Sequence, residues 1–563
     1  MTDLVSPISG PRGSNDAAFD GFVHADAGRL FDGRNEPILL RGVGLGNWLL
    51  PEGYMWKFEA KSLQSPRQIE AFISDLVGPV RAATFWSEFQ NRFIGEADIA
   101  QIAAEGMNHV RLPINARLIM NDEGALVPSG LAPIDRLIGW CRAHGVWVVL
   151  DLHGAPGGQT GTNIDDSPNG VPELFTDSRH REQTIALWRA LALRYRNETV
   201  VAGYDLLNEP LPNDYQHRYA DELVALYRDL TAAVRDVDPD HLIIYEGTHW
   251  ATNWSVFTEV WDANSMLSFH KYWSPPDRPS IDAFLDVARQ LELPIYMGEG
   301  GENSIGWLQT AFQLYEDHDI SWNFWPWKKM NTDSSPCSVD APAQWPDILG
   351  YGNRGRAKPP PEEAWNALSE LLDAVVLARC TYRPEIVSAL LRRAPCRLPA
   401  AGFGFRGPGE SYQTASAVPL VGFRNDDFVT IRDSDGAAPV ELDFEYEDGM
   451  TRDTTAELVV DLVAGDWIAY DVNVGHATYL AVSVAITRSP EQAFDATPIA
   501  VSIDDEPIRV EAYGASVRGT SGQPVDAGRH VLRVECLARQ ATIRSIDLDT
   551  LHCEKPGKSG SLG

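Results

Sequence analysis

Asn208-Glu209-Pro210 closes the apolar run 201–207, and 90 residues beyond Glu209 a second apolar run, 294–297, ends on Gly298-Glu299. Two carboxyl groups, each delivered at the C-terminal end of a buried strand, are suited to cleaving an acetal such as a glycosidic bond. One protonates the leaving oxygen while the other attacks the carbon or activates water. In a parallel barrel the strand ends are where side chains meet substrate, so placement carries as much weight as residue type. Taken singly, each glutamate also reads as a solvated loop residue or a helix N-terminal charge. The elements that position them decide between the two.

Eight apolar, strand-like segments follow one another at 38–44, 109–114, 146–153, 201–208, 242–247, 266–272, 294–299 and 320–327. Most are followed by a stretch with helical period, such as 183–196, 221–237, 281–291 and 307–317. This alternation predicts an α/β fold, a (β/α)8 TIM barrel with enlarged loops. An open doubly wound sheet would usually carry a glycine-rich phosphate turn after its first strand. The run Gly42-Val43-Gly44-Leu45-Gly46 leads into Asn47-Trp48 rather than into a helix, so a nucleotide site is not expected.

The strand ends collect Arg111, His153, Asn208, Glu209, His270, Tyr272, Glu299, Trp325 and Trp327. Strands buried on both faces should be nearly pure aliphatic, so polar residues at so many ends point to a shared site. The loops 47–59 and 157–174 are long and rich in aromatic or Asp/Asn residues, which predicts walls around the cleft. Glu52, His249, Trp250 and Trp254 are candidates to line it.

A helical stretch at 362–378 would close the barrel, giving a catalytic domain over 28–391 behind an N-terminal extension at 1–27. Residues 392–411 read as a Pro/Gly/Arg-rich linker. From 412 the pattern becomes short alternating runs at 456–461, 467–474, 478–485, 499–503, 530–536 and 541–547 without intervening helices, which predicts a second, all-β sandwich domain over 412–553. The tail 554–563 is expected to be disordered.

With 47 Lys and Arg against 79 Asp and Glu, the formal net charge is -32. That excess argues against nucleic acid or an anionic membrane as partner; it suits a neutral carbohydrate and, more readily, simple solubility. Six cysteines show no Cys-x-x-Cys pair or zinc spacing, so no metal or other cofactor is expected. Cys141 is expected as a buried free thiol, and Cys380 and Cys396 as a possible bridge. The N-terminus carries no signal region and no apolar stretch reaches the roughly 18–20 residues of a membrane span. The expected location is cytoplasmic if Met1 is the natural start and secreted if the chain has been trimmed.

Arg111-Leu112-Pro113-Ile114-Asn115, Asp151-Leu152-His153-Gly154, Leu207-Asn208-Glu209-Pro210, Ser268-Phe269-His270-Lys271-Tyr272, Gly298-Glu299 and Trp325-Pro326-Trp327-Lys328 resemble, in order, the signature blocks of glycoside hydrolase family 5 in clan A. The stretch 41–48 together with Gly154-Ala155-Pro156-Gly157-Gly158 is similar to the branch holding exo-β-1,3-glucanases and β-glucosidases. The resemblance implies a retaining double displacement on β-glycosides, exo-acting or glucosidase-like, with Glu209 as acid/base and Glu299 as nucleophile. It further implies that Arg111 keeps Glu299 ionised and that Asn208 binds the sugar 2-hydroxyl. His270 and Tyr272 would orient the carboxylates, and His153 would hold a sugar hydroxyl or Arg111. Block alignment favours Trp327 over Trp325 as the sugar platform. Stretches 465–474, 528–533 and 543–548 resemble carbohydrate-binding modules of families 6 and 35, with Trp467 read as core.

Other sugar specificities of the same family, for mannosides, xylosides, arabinofuranosides or galactofuranosides, remain open on the sequence. So do a metal-dependent barrel hydrolase using His153, His270 and a carboxylate, and a sugar-binding protein without catalysis.

Overall fold

The computed structural model describes residues 19–121, 123–415, 422–435, 442–487 and 497–551. These fall into two units. The first holds the chain up to Tyr272, Ala283–Glu302 and Asp319–Arg383; the second holds Trp273–Asp282, Asn303–His318 and the chain from Pro384 on.

The first unit is built on a closed barrel of eight parallel strands in sequential order: β1 (Arg41–Gly44), β2 (His109–Asn115), β3 (Trp147–Gly154), β4 (Val201–Asp205), β5 (Leu242–Glu246), β6 (Ser265–Lys271), β7 (Ile295–Gly301) and β8 (Ser321–Trp325). All eight expected strands are present, and β2, β3, β4, β5, β7 and β8 are buried along their whole length. Aliphatic and aromatic residues on both faces account for this: one face fills the barrel and the other meets the surrounding helices. Those helices carry local signals of their own. Ser178–Tyr195, for instance, starts where the Asp177 carboxylate accepts the Arg179 N–H, satisfying a donor that the first turn would leave orphaned.

The glycines of β1 serve packing. A Cβ on Gly44 or Gly46 would lie 2.4 or 2.6 Å from the Trp325 ring, so their bareness lets that indole settle against the first strand. At β7 the pairing with β6 slips by one residue between Met297 and Glu299. Such a bulge re-aims the side chain that follows it, here Glu299. The bulged residue is Gly298, where a Cβ would meet Ser268 Oγ at 2.4 Å and His270 Nε2 at 2.9 Å.

The second unit contains two antiparallel sheets. The strands in chain order are β9 (Cys396–Pro399), β10 (Tyr412–Gln413), β11 (Thr430–Asp433), β12 (Leu458–Val463), β13 (Trp467–Val474), β14 (Tyr479–Thr487), β15 (Ile499–Ile503), β16 (Glu506–Ile508), β17 (Val510–Tyr513), β18 (Ser516–Thr520), β19 (Gly528–Cys536) and β20 (Gln540–Leu551). A seven-stranded sheet runs β11-β12-β20-β14-β18-β17, with β9 also pairing β20, and a five-stranded sheet runs β10-β13-β19-β15-β16. Alternate residues of β14 and β20, among them Val482, Val484, Ile546 and Leu548, are buried as a sandwich interior requires.

Several boundaries differ from expectation. Residues 24–26 of the expected N-terminal extension are a strand, His24–Asp26, paired with Arg29–Phe31. The stretch 392–411 is more than a linker: Cys396–Pro399 pairs with Ser545–Leu548, because Leu398 alternates into the sandwich interior. Helix Pro384–Leu391, placed with the barrel by the sequence, groups with the second unit, as does Ile305–Asp317. The latter is buried from Gly306 to Glu316, and within its unit Gln313 Nε2 donates to Asp471 (2.9 Å) while Glu316 pairs with Arg392 (2.9 Å). A helix covered on every side is a core element rather than a barrel's outer layer. The expected sandwich itself, from 412 on, is built of strands among the described residues, with a single helical turn at Thr454–Glu457 and a 3-10 turn at Asn425–Asp427; the two longer helices that group with it lie outside that range.

Cys380 and Cys396 are both free thiols, and Cys141 is free and buried as expected. Trp467 is half-buried, with the Arg533 guanidinium 3.9 Å from its ring centre, so that face is covered. The expected disordered tail and Cys553 lie outside the described residues. Among the described residues no helix is long and apolar enough to cross a membrane.

Candidate active site

Arg111, the third residue of β2, meets His153, Asn208, Glu209, His270, Tyr272 and Glu299 from the C-terminal ends of other strands in one buried cluster. Carboxylate oxygens of Glu209 and Glu299 and a ring nitrogen of His270 lie within 4.8 Å of one another. His270 Nδ1 is 2.8 Å from Glu209 Oε1 and 3.7 Å from Glu299 Oε2, so the imidazole bridges the two acids. The Tyr272 hydroxyl donates to Glu299 Oε2 at 3.0 Å.

Glu209 follows β4 in the left-handed region, with φ 44° directly before Pro210, a conformation that costs an L-residue free energy and persists only where its surroundings impose it. Its backbone N–H is held by Glu246 Oε2 at 2.6 Å.

Arg111 is the hub. Its guanidinium donates to Glu299 Oε1 (2.5 Å), Asp205 Oδ2 (2.8 Å), Asn208 Oδ1 (2.8 Å) and Glu246 Oε1 (2.9 Å), with Asp151 Oδ1 at 3.2 Å. Burial works against its charge, but Asp151, Asp205, Glu299 and Glu246 together hold it cationic. Burial likewise opposes a charge on His270, and Glu246 followed by Glu299 reverses this, keeping the ring protonated. His153 follows the same pattern: Asp151, which pairs with Nδ1 at 2.7 Å, lifts it above the ordinary histidine value against burial. Burial pushes Asp205 up, with Glu246 adding to it and Arg111 opposing, while His270 and Arg111 hold Glu246 low against its own burial.

Burial raises Glu299 above the ordinary carboxylate value; His270 and Arg111 pull it back and Glu209 pushes it further up. As pH falls through this raised pKa, Glu299 gains a proton and loses its nucleophilicity. The acidic limb of kcat/KM is therefore expected above pH 4.5, and a limb at or below that value would contradict the assignment. Arg111→Met should strand several buried carboxylates without their cation. Chemical denaturation is expected to give a loss of about 3 kcal/mol or more; an unchanged midpoint would mean the hub is dispensable.

Two members of the cluster escaped the sequence reading, and a third, Asp151, entered it only as part of the block around His153. Glu246 and Asp205 end β5 and β4, and Asp151 lies in β3 two residues before His153. The signal was present, since each is an acid on an otherwise apolar strand, the same feature that marked Glu299.

The two tryptophans exchange roles. Trp327 is fully buried and donates Nε1 to Asp98 on helix Glu96–Ala104, away from the carboxylates. Trp325 ends β8, stacks on His153 with ring centres 5.6 Å apart and planes 5° from parallel, and donates Nε1 to the Tyr54 hydroxyl. The strand stops at Trp325, so the alternation that would have carried Trp327 to the same face is broken by the turn at Pro326.

Loop 47–59 is buried along most of its length. Asn47 Oδ1 accepts from Trp56 Nε1 (2.5 Å) and from the Glu52 N–H (3.3 Å). Glu52 is buried, and its Oε1 has no hydrogen-bond partner among the described residues. Burial first, then Glu299, Glu302 and Glu209, push its carboxyl up to about 8 against an opposing effect of His153, so it is protonated at neutral pH. Loop 157–174 is fastened by Gln159, which donates to the carbonyls of His153 (2.7 Å) and Asn208 (3.0 Å). His249 accepts from the Asn213 N–H in the loop after Glu209, and Trp250 lies half-buried beside it. Neither makes a hydrogen bond to Glu209 or Glu299 among the described residues. Trp254 is core, packed on Phe257, Phe269 and Phe284.

The Glu209, His270, Glu299 triplet has a spacing that an ion could span. His153, the second imidazole of the metal-hydrolase reading, is not part of this triplet; its Nδ1 pairs with Asp151 at 2.7 Å.

Residues 77–331, which hold β2 to β8, match the family model for cellulase, glycosyl hydrolase family 5. A β-xylosidase of Phanerodontia chrysosporium is 33% identical over 256 residues, covering 45% of this chain and 52% of that protein. A probable glucan 1,3-beta-glucosidase A of Emericella nidulans is 32% identical over 275 residues, covering 46% and 66%. Endoglucanase C of Acetivibrio thermocellus is 27% identical over 320 residues, covering 46% and 92%. The chain thus spans about half the length of the first relative and just under two thirds of the second. Family match and barrel coincide: residues 77–331, which build most of the closed barrel, are similar to glycosyl hydrolase family 5.

Proposed function

We propose that the chain is a retaining β-glycosidase, exo-acting or glucosidase-like on β-glucosides or β-glucan oligosaccharides. The observation that carries the reading is the approach of Glu209 and Glu299 to within 4.8 Å. Retaining enzymes hold their carboxyl groups about 5–5.5 Å apart, whereas inverting ones leave about 6.5–9.5 Å for a water. In the first step Glu299 attacks the anomeric carbon as Glu209 gives its proton to the departing oxygen, forming a glycosyl-enzyme. In the second Glu209 takes a proton from water, which attacks the same carbon and releases Glu299. Two inversions return the starting configuration. Proton NMR of the first product should therefore give the β-anomer before mutarotation; the α-anomer first would sink the reading.

An enclosed pocket is favoured by the walls at 47–59 and 157–174 and by Glu52, whose protonated carboxyl can donate to a sugar hydroxyl. Trp325 packs against His153 at the same end of the barrel. On a soluble β-glucan such a pocket is expected to release monosaccharide from the first minutes with viscosity nearly unchanged; a rapid viscosity fall with mixed oligosaccharides would require an open cleft. A xyloside-active enzyme is the second reading, favoured by the identity to a protein named β-xylosidase. The ratio of kcat/KM on aryl β-glucoside and aryl β-xyloside decides between them.

A further inference from the structure

Loop 157–174 leaves the C-terminal end of β3 carrying two adjacent buried aspartates with different tasks. The Asp165 carboxylate accepts the N–H groups of Thr160 (2.7 Å), Gly161 (3.1 Å) and Ser167 (2.9 Å), bonds that shape the loop without tying it to the barrel. Asp166 turns outward from the loop. One of its oxygens accepts the Arg67 backbone N–H (3.0 Å) and Arg67 Nε (3.1 Å), and the other accepts Arg117 Nε (2.6 Å) and Asn115 Nδ2 (3.1 Å). Arg67 lies in the first turn of helix Pro66–Val77, where a backbone N–H has no partner within the helix and a negative charge is welcome. Arg117 returns to the same helix through a two-bond fork to Glu70 (2.9 and 3.0 Å), and Asn115 ends β2. Four bonds from cationic or polar donors to one buried carboxylate act together, so the loop stands where this helix and β2 put it.

The same helix end is the base of loop 47–59. Gln68 Oε1 accepts the N–H groups of Gln64 (2.9 Å) and Ser65 (3.2 Å). Gln64 donates Nε2 to the carbonyls of Phe58 (2.9 Å) and Ala60 (3.0 Å), and its own carbonyl accepts the Gly53 N–H (2.9 Å). Asp166 therefore joins the loop after β3 to the footing of the loop after β1.

Where they join bears on the substrate. The ring order of the barrel sets β8, β1 and β2 across its mouth from β4, β5 and β6. Glu209 follows β4, so the leaving part of a glycan lies on that side, and any chain extending from the non-reducing end of the cleaved sugar runs toward β8, β1 and β2. Loop 157–174 begins on β3, next to β4, yet Asp166 brings it back to the end of β2. We propose that Asp166 is the positioning residue that shuts the non-reducing side of the barrel mouth, tying loop 157–174 to helix Pro66–Val77 and β2 so that the site takes a chain end. The assignment rests on the enclosed-pocket reading above.

The test compares the full chain with Asp166→Ala and with Arg67→Ala, which leaves the buried carboxylate in place; the Arg67 side chain is 38% exposed, so its loss empties no core. Two substrates are used, an aryl β-glucoside and an aryl β-laminaribioside whose non-reducing-end hydroxyls are capped as a benzylidene acetal. A shut wall leaves the capped disaccharide no room, whereas an opened one admits it and releases the aryl group. The parent should turn over the capped substrate about 100-fold less well than the glucoside, and Asp166→Ala should gain about tenfold on it, with a smaller gain for Arg67→Ala. On the glucoside the variants should change KM rather than kcat, because neither residue reaches the reacting carboxylates. Hydrogen exchange read by mass spectrometry reports on the tie itself whatever sugar the barrel takes: peptides from 160–171 should exchange about tenfold faster in both variants, with helix Ser178–Tyr195 unchanged. A parent that cleaves the capped substrate as readily as the glucoside would defeat the enclosed-pocket reading and this assignment with it. Exclusion of the capped substrate by parent and variants alike, or exchange in 160–171 that neither variant alters, would overturn the role of Asp166 alone.

Discussion

Glu299→Gln is expected to lower kcat on an aryl β-glycoside by on the order of 10^5-fold, because the amide cannot attack the anomeric carbon and no other group stands in its place. The substitution is close to isosteric. Its oxygen can still accept from Arg111 or Tyr272, so cooperative unfolding should persist and the loss should fall on turnover rather than on folding. The site otherwise remains built, so a substrate analogue should still bind. Residual activity above about 1% with a folded protein would require a different nucleophile.

Glu209→Ala should behave differently. With a leaving group of high pKa the first step needs the proton, and kcat/KM should fall by up to about 10^4-fold. With a leaving group of low pKa glycosylation proceeds unaided while water attack lacks its base, so a burst should precede a slow steady state. Azide needs no base and fits the space left by the side chain; it should restore turnover and give a β-glycosyl azide. No burst and no azide effect would show that Glu209 is not the acid/base. His270 sits between the two acids, 2.8 Å from Glu209, so removing Glu209 also frees the imidazole to pair more closely with Glu299. A shift of the acidic limb in this variant would report that coupling.

The eight barrel strands were legible because each is a nearly unbroken apolar run ending in a polar residue, and strand ends are where the fold concentrates chemistry. Arg111, Asn208, His270 and Tyr272 could be placed for that reason. Glu246 and Asp205 obeyed the same rule and were passed over because neither sits in a conspicuous motif. Their role, neutralising and orienting Arg111 and His270, becomes evident only when the barrel closes and brings β2, β4, β5 and β6 into one cluster. Trp325 and Trp327 were indistinguishable by spacing, since the choice depends on where β8 stops and on bare glycines across the seam at β1. Helix Ile305–Asp317 looked like a barrel helix by position; its burial on every side is a tertiary fact that periodicity does not encode. The short strand Val510–Tyr513 is exposed along most of its length, so it lacks the apolar alternation by which β13 and β14 were found.

The central claim is a covalent glycosyl-enzyme on Glu299 with Glu209 as its proton partner. A 2-fluoro β-glycoside with a good leaving group forms that intermediate and releases it slowly, because the fluorine destabilises the oxocarbenium-like transition state of both steps. Mass spectrometry of the intact chain after such treatment should give the added mass of one 2-fluoroglycosyl group, and proteolysis should place it on the peptide containing Glu299, with Glu299→Gln unlabelled. Label on another residue, or inactivation without any covalent label, would contradict the account.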